Sequence, residues 1–82
     1  MVGRMSRDLS LRQAVTLALT DYFRSLEGEP PRDLYSLVTH EVEGPLLEMT
    51  LELAGGNQSI AAKMLGISRG TFRTKLAKHG LL

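Results

Sequence analysis

The sequence contains no cysteine and no tryptophan, and its aromatic residues are two tyrosines and two phenylalanines. Without thiols the chain has no disulfide framework and no thiolate metal site. No apolar run is long enough to span a bilayer, and the first ten residues, MVGRMSRDLS, lack the apolar core of a signal peptide. We therefore expect a soluble cytoplasmic protein that needs neither a cofactor nor a metal.

Acidic residues are missing from the last 26 positions, Asn57 to Leu82, which hold five of the basic residues. Residues 1–56 hold nine acidic and five basic residues, so the net charge of +1 conceals two halves of opposite sign. This asymmetry predicts a polyanionic partner for the C-terminal part alone. The alternative is that the basic helix face is simply solvated.

Signatures of catalysis are also missing. The two histidines are His40, which stands beside acidic residues in a helix, and His79, which stands near a helix end where a polar group interacts well with the dipole. There is no G-x-S-x-G elbow and no glycine-rich phosphate loop after a strand. We expect a protein that is not an enzyme.

The apolar spacing predicts an all-α fold of four helices. Ser10 and Gln13 match a capping box at the start of the first helix, and the Glu27–Pro31 segment ends that helix. Residues 1–10 are expected to form a flexible tail, and residues 11–82 a single domain. Within it, residues 11–54 form a two-helix dimerisation platform and residues 57–82 a helix-turn-helix.

The second helix is predicted from Arg32 to Ala54, with Gly44-Pro45 inside it. The alternative is a helix that ends at the proline, but the apolar stripe keeps its phase across that position. The C-terminal half is apolar around most of its circumference, and a chain of 82 residues cannot easily cover such a helix. A second copy of the chain is the simplest cover. The predicted homodimer interface consists of Leu46, Leu47, Met49 and Leu51.

The residues from Asn57 onward predict two short helices joined by a tight turn. Asn57 and Ser68 are placed to cap them, and Gly66 marks the turn. Phe72 and Leu76 form the inner stripe of the second helix. The apolar side of the first is predicted to consist of Ile60, Ala61, Met64 and Leu65. Two helices joined in this way fit a helix-turn-helix.

The outer ridge of the last helix carries small residues, Gly70, Thr74 and Ala77, between basic flanks. Small residues there let a helix enter a DNA major groove that is ~12 Å wide, while the basic flanks reach the phosphates. Arg73 is placed to reach a base edge, where a guanidinium can bond guanine bidentately.

The run GNQSIAAKMLGISRGTFRTKLAKHGLL resembles the C-terminal domain of the Fis family, which is also found at the end of NtrC-type activators. The upstream stretch from Leu11 is similar to the dimerisation helices of stand-alone Fis proteins. The resemblance implies a homodimeric, nucleoid-associated protein that binds and bends DNA and regulates transcription. The DNA-contacting positions that it implies are Asn57, Ser59, Arg69, Thr71, Arg73, Lys75 and Lys78.

Two departures from the family pattern bear on this expectation. Ile60, Thr74 and Ala77 stand where the best-known member has basic residues, so affinity or site preference is expected to differ. Only about ten residues precede the first helix, so the N-terminal β-hairpin arm is expected to be absent or truncated and recombinase activation is in doubt.

Two other interpretations stay open: an excised domain of an NtrC-type activator, and a helical module that binds an acidic protein.

Overall fold

The computed structural model describes residues 8–82, and these form four α-helices with no strand. We name them α1 (Leu11–Ser25), α2 (Leu34–Leu53), α3 (Gln58–Leu65) and α4 (Arg69–Lys78). The predicted all-α class is confirmed for this part of the chain. The predicted N-terminal tail lies largely outside the described residues. No helix within residues 8–82 has the length and apolarity needed to cross a membrane.

The chain divides into two compact units, Met1–Arg32 and Asp33–Leu82. The first unit contains α1, whose predicted capping box is present. The Ser10 backbone N–H donates to Gln13 Oε1 at 2.8 Å, and the Gln13 backbone N–H donates to Ser10 Oγ at 3.0 Å. The helix ends at Ser25, and a turn follows in which Gly28 has φ 89°. The local signals of the sequence therefore fix both ends of α1.

Helix α2 runs through Pro45 without a break, as the phase of the apolar stripe predicted. It starts two residues later than expected, because Asp33 adopts a left-handed conformation with φ 50° and its side chain does not cap the helix. The proline lacks the N–H that would bond one turn back. The helix nevertheless continues past the proline, so the faces formed by its twenty residues are not interrupted.

The core of the second unit lies where α2 crosses α3 and α4. Its buried members are Leu47, Ala61, Ala62, Phe72 and Leu76. Small alanines on α3 let the helices approach closely, and Phe72 and Leu76 are completely buried. Leu51, Ala54, Leu65, Ile67 and Leu81 pack around this cluster.

Two residues of the predicted dimer interface need correction. Leu47 is 2% exposed and Leu51 packs beside it, so both contact α3 and α4 of their own chain. The apolar surface that α2 leaves exposed includes Leu46 and Met49, the other two residues of the predicted interface. It contains Val42, Leu46, Met49 and Leu53. The sequence distinguished two apolar sides of α2 correctly, but it could not tell which of them the helix-turn-helix would cover.

The same packing changes the expected division of the domain. Residues 11–54 were expected to form a dimerisation platform apart from the helix-turn-helix of residues 57–82. Instead α2 belongs to one compact unit with α3 and α4, because Leu47 is buried in one cluster with residues of both helices. The helix-turn-helix therefore rests on a third helix.

The end signals of α3 and α4 form as predicted. Asn57 Oδ1 accepts the Ile60 N–H at 3.0 Å, and Ser68 Oγ accepts the Thr71 N–H at 3.0 Å. Gly66 ends α3 with φ 76°, a conformation that favours glycine. The predicted apolar side of α3 is only half right. Ala61 and Leu65 face the core, but Ile60 and Met64 are about half exposed.

Candidate nucleic-acid interface

Helix α4 presents its outer side to solvent because its inner side is anchored by Phe72 and Leu76. The exposed residues include most of those predicted to contact DNA: Arg69, Thr71, Arg73 and Lys78. The small ridge residues Gly70, Thr74 and Ala77 are exposed between them. A Cβ added at Gly70 would meet nothing within 4 Å, so the start of the ridge is open. The outer side of α4 therefore has the low profile that entry into a groove requires.

The starts of α3 and α4 expose polar groups with defined positions. The Asn57 and Ser68 side-chain oxygens each hold one backbone N–H of the first turn. The Ser68 hydroxyl also donates to Thr71 Oγ1 at 2.9 Å, which fixes the Thr71 rotamer. Ser59 lies exposed in the first turn of α3. Helix N-termini carry a partial positive charge, so both ends favour an anion.

Four of the five cations in this region have no carboxylate partner within residues 8–82: Lys63, Arg69, Arg73 and Lys78. All four are exposed. Because no acidic residue follows Glu52, nothing in α3 or α4 neutralises them. The result is a cationic surface with ordered polar groups beside it, which suits a phosphate backbone.

Arg73 is held by a residue that the sequence did not single out. Its Nη1 donates to Gln58 Oε1 at 2.8 Å, across the turn between α3 and α4. This bond restrains the guanidinium and leaves its other N–H groups available to donate. Gln58 therefore orients the side chain that was predicted to reach a base edge.

Lys75 is placed differently from the other predicted contacts. Its Nζ lies 2.7 Å from Glu43 Oε2, and its side chain is 35% exposed. The second oxygen of the same carboxylate, Oε1, lies 2.8 Å from His79 Nε2. Bonding to Lys75 and then to His79 lowers the pKa of Glu43 to about 2. Glu43 is therefore an ionised acceptor that connects α2 to the end of α4.

His79 lies in a confined position beside α2. Its side chain is only 5% exposed. Its ring stacks on His40 with the centroids 4.2 Å apart. A Cβ at Gly44 would lie 3.3 Å from His79 Nδ1, so the glycine leaves room for the ring. The His40 ring therefore forms one side of the space that His79 occupies.

Six of the seven predicted contact residues, all but Lys75, are exposed on or beside α3 and α4. Sequence reasoning missed Gln58, Glu43 and the exposed Lys63. Glu43 is 32 residues from Lys75, and only the packing of α2 brings them together. Gln58 is 15 residues from Arg73, and helical spacing within one element cannot reveal that pair.

Comparisons with known proteins identify relatives of this chain. A family model described as "Bacterial regulatory protein, Fis family" matches residues 40–79, which contain α3, α4 and the part of α2 that packs on them. The DNA-binding protein Fis of Actinobacillus succinogenes is 52% identical over 71 residues, covering 87% of this chain and 72% of that protein. The protein of the same name from Glaesserella parasuis is 49% identical over 74 residues, covering 90% and 76%. That from Escherichia coli is 52% identical over 71 residues, covering 87% and 72%.

Proposed function

This chain belongs to the Fis family of bacterial regulatory proteins, and from that premise we propose that it binds double-stranded DNA through α3 and α4. The observation that carries the proposal is the cationic outer side of a helix-turn-helix with no acidic residue in its sequence. The low ridge of Gly70, Thr74 and Ala77 suits the floor of a major groove. The related proteins named DNA-binding protein Fis support the same partner.

The proposed contacts divide into two kinds. Asn57, Ser59, Arg69, Thr71 and Lys78 bind phosphates, since they offer charges and N–H or O–H donors at the rim of the surface. Such contacts position a protein without reading sequence. Arg73, oriented by Gln58, reaches a base edge. The protein therefore reads sequence loosely and acts as a nucleoid-associated transcriptional regulator.

We further propose that two copies pair through the exposed apolar side of α2. Val42, Leu46, Met49 and Leu53 follow one another at spacings of four, three and four, which is the seam spacing of paired helices. Met49 is 68% exposed and Leu53 77% exposed in the single chain. Covering this seam with its own copy removes it from water and presents two helix-turn-helix units to one duplex.

We propose that binding bends the duplex. Only the turn at Gly55-Gly56 separates α2 from Asn57, where the helix-turn-helix begins. No spacer therefore increases the distance between the two helix-turn-helix units of a dimer. Dimeric readers on straight DNA lie about one turn apart, ~34 Å. Closer readers enter successive major grooves only when the DNA curves. Specificity then arises at central base pairs that the protein never touches.

DNA binding is tested by titrating labelled duplexes at several salt concentrations. We expect log K to fall steeply with log salt, because two copies of the surface release several counterions. Arg69→Ala is expected to weaken binding at least tenfold, whereas Arg24→Ala in α1 is expected to change it less than twofold. A flat salt dependence, or equal losses from the two arginine variants, would contradict the proposal.

Dimerisation is tested by sedimentation equilibrium at micromolar concentration. We expect a wild-type dimer that Met49→Asp dissociates, because a charge in an apolar interface costs several kcal/mol. Ser36→Asp is the matched control, since it adds the same charge to an exposed position of α2 outside the seam. A stable wild-type monomer would contradict the proposed pairing through this seam.

Bending is tested by a circular-permutation gel assay and by changing the centre of a bound site. A stiff G·C-rich centre is expected to reduce affinity, while many changes in the flanks are tolerated. An unbent complex that is indifferent to its central base pairs would rule this part of the proposal out.

A further inference from the structure

Among the cations of the helix-turn-helix, Lys75 alone is ion-paired to a carboxylate in the part of the chain that the structure describes. Its partner Glu43 belongs to α2, and the Nζ to Oε2 distance is 2.7 Å. Both side chains are about one-third exposed or less, so solvent screens the pair less than a surface ion pair. A lysine on the reading helix is thus already bound to an internal anion.

The second oxygen of Glu43 strengthens the arrangement. A carboxylate can only accept, so His79 must carry a proton on Nε2 to bond Oε1 at 2.8 Å. His79 is the C-cap residue of α4, and its ring is fixed between His40 and Gly44. Lys75 and His79 lie one turn apart on the same helix. The carboxylate therefore binds α4 at two points across its last turn.

We propose that Glu43 is a positioning residue for DNA binding: it anchors the last turn of α4 to α2 and withholds the Lys75 ammonium from DNA phosphates. The inference rests on the proposed DNA binding. The cations of this surface then have two roles. Most of them release counterions from DNA, whereas Lys75 helps to orient α4. Lys75 then supports the position of α4 and does not itself bind a phosphate.

The number of counterions released distinguishes this role from a phosphate contact. Each phosphate neutralised adds about 0.9 to the slope of log K against log salt. In the wild-type background Lys75→Met is expected to change that slope by well under half of this amount per protomer. In the Glu43→Gln background the ammonium is released, and the same lysine substitution is expected to lower the slope by about 0.9 per protomer.

Two matched controls separate this effect from general electrostatics. Lys78→Met removes an exposed lysine of the same helix and is expected to lower the slope equally in both backgrounds. Glu41→Gln removes an exposed negative charge of α2 that has no ion-pair partner within residues 8–82. It is expected to leave the effect of Lys75→Met unchanged. A Lys75→Met effect of about 0.9 per protomer in the wild-type background would overturn the withholding role.

The anchoring role is tested without DNA by a double-mutant cycle of urea unfolding. Glu43→Gln and Lys75→Met are expected to be non-additive, because each removes one charge of the same ion pair. Glu41→Gln and Lys75→Met are expected to add. Additivity in the first cycle would overturn the anchor. Wild-type protein that shows no salt-dependent DNA binding would instead overturn the proposed function and the withholding role with it, while the unfolding cycle still decides the anchor.

Discussion

Helix α1 and the α2–α4 unit both begin from strong local signals, yet only the second builds a core. Helix α1 has a complete capping box and a four-turn apolar stripe, but none of its residues is buried, and Leu11 is 80% exposed. Helices α3 and α4 are shorter, and each contributes two buried residues to the core. Capping and apolar periodicity therefore favour helix formation, whereas burial of the apolar side chains requires other helices to pack against them.

The difference has a consequence for stability. A helix of α1's length is marginal in water unless other surfaces pack on it, because nucleation is costly and few hydrogen bonds offset that cost. The α2–α4 unit instead buries Phe72 and Leu76 completely. Substitutions in that unit should therefore affect global unfolding, and matched substitutions in α1 should act on local helicity.

The largest effect is expected for Phe72→Ala, which leaves a cavity at the centre of the α2–α4 unit. Phenylalanine truncations in a core cost about 3 to 5 kcal/mol. Leu11→Ala is the matched control in α1 and is expected to cost no more than about 0.5 kcal/mol. Urea unfolding followed by circular dichroism measures both. Equal costs would show that the two regions do not differ in packing.

Acid should weaken the α2–α4 unit through Glu43. Its pKa in the folded chain is lowered from 4.5 to about 2, so its contribution is complete above pH 4.5 and is lost as the pH falls toward 2. We expect roughly 1 to 2 kcal/mol, the range for a partly exposed hydrogen bond to a charged group. Stability measured against pH should be flatter in this window for Glu43→Gln. The same acid loss in both proteins would contradict the assignment.

The smallest effect is expected from removing caps. Ser68→Ala deletes the bond to the Thr71 N–H and should cost about 1 kcal/mol of global stability. Ser10→Ala deletes the equivalent bond in α1 and should speed hydrogen exchange there without changing unfolding of the α2–α4 unit. A global loss from Ser10→Ala would show that α1 is part of the same cooperative unit.

The sequence predicted what depends on neighbours in the chain. The caps at Ser10, Asn57 and Ser68, the left-handed Gly66 and the helix through Pro45 follow from local stereochemistry. The inner positions of Phe72 and Leu76 follow from spacing within a single helix. These features required no knowledge of the tertiary fold.

What failed depends on which helices meet. Leu47 was assigned to a second copy because nothing in its spacing shows that α3 and α4 cover it. The pairing of Lys75 with Glu43 was not foreseen because the two residues are distant in sequence. Ile60 and Met64 were placed on the apolar side of α3 from their spacing, but they are about half exposed because α3 is covered over a narrower angle than its apolar pattern suggests. Each error concerns a contact between elements.

The central claim is that the helix-turn-helix, and not α1, receives DNA. It is tested most directly by following backbone amide NMR signals of the whole chain during titration with a duplex. We predict the largest shifts at the starts of α3 and α4, from Asn57 to Ser59 and from Arg69 to Arg73, with small shifts around Arg12 and Arg24. Shifts centred on α1, or spread evenly over both regions, would contradict the account.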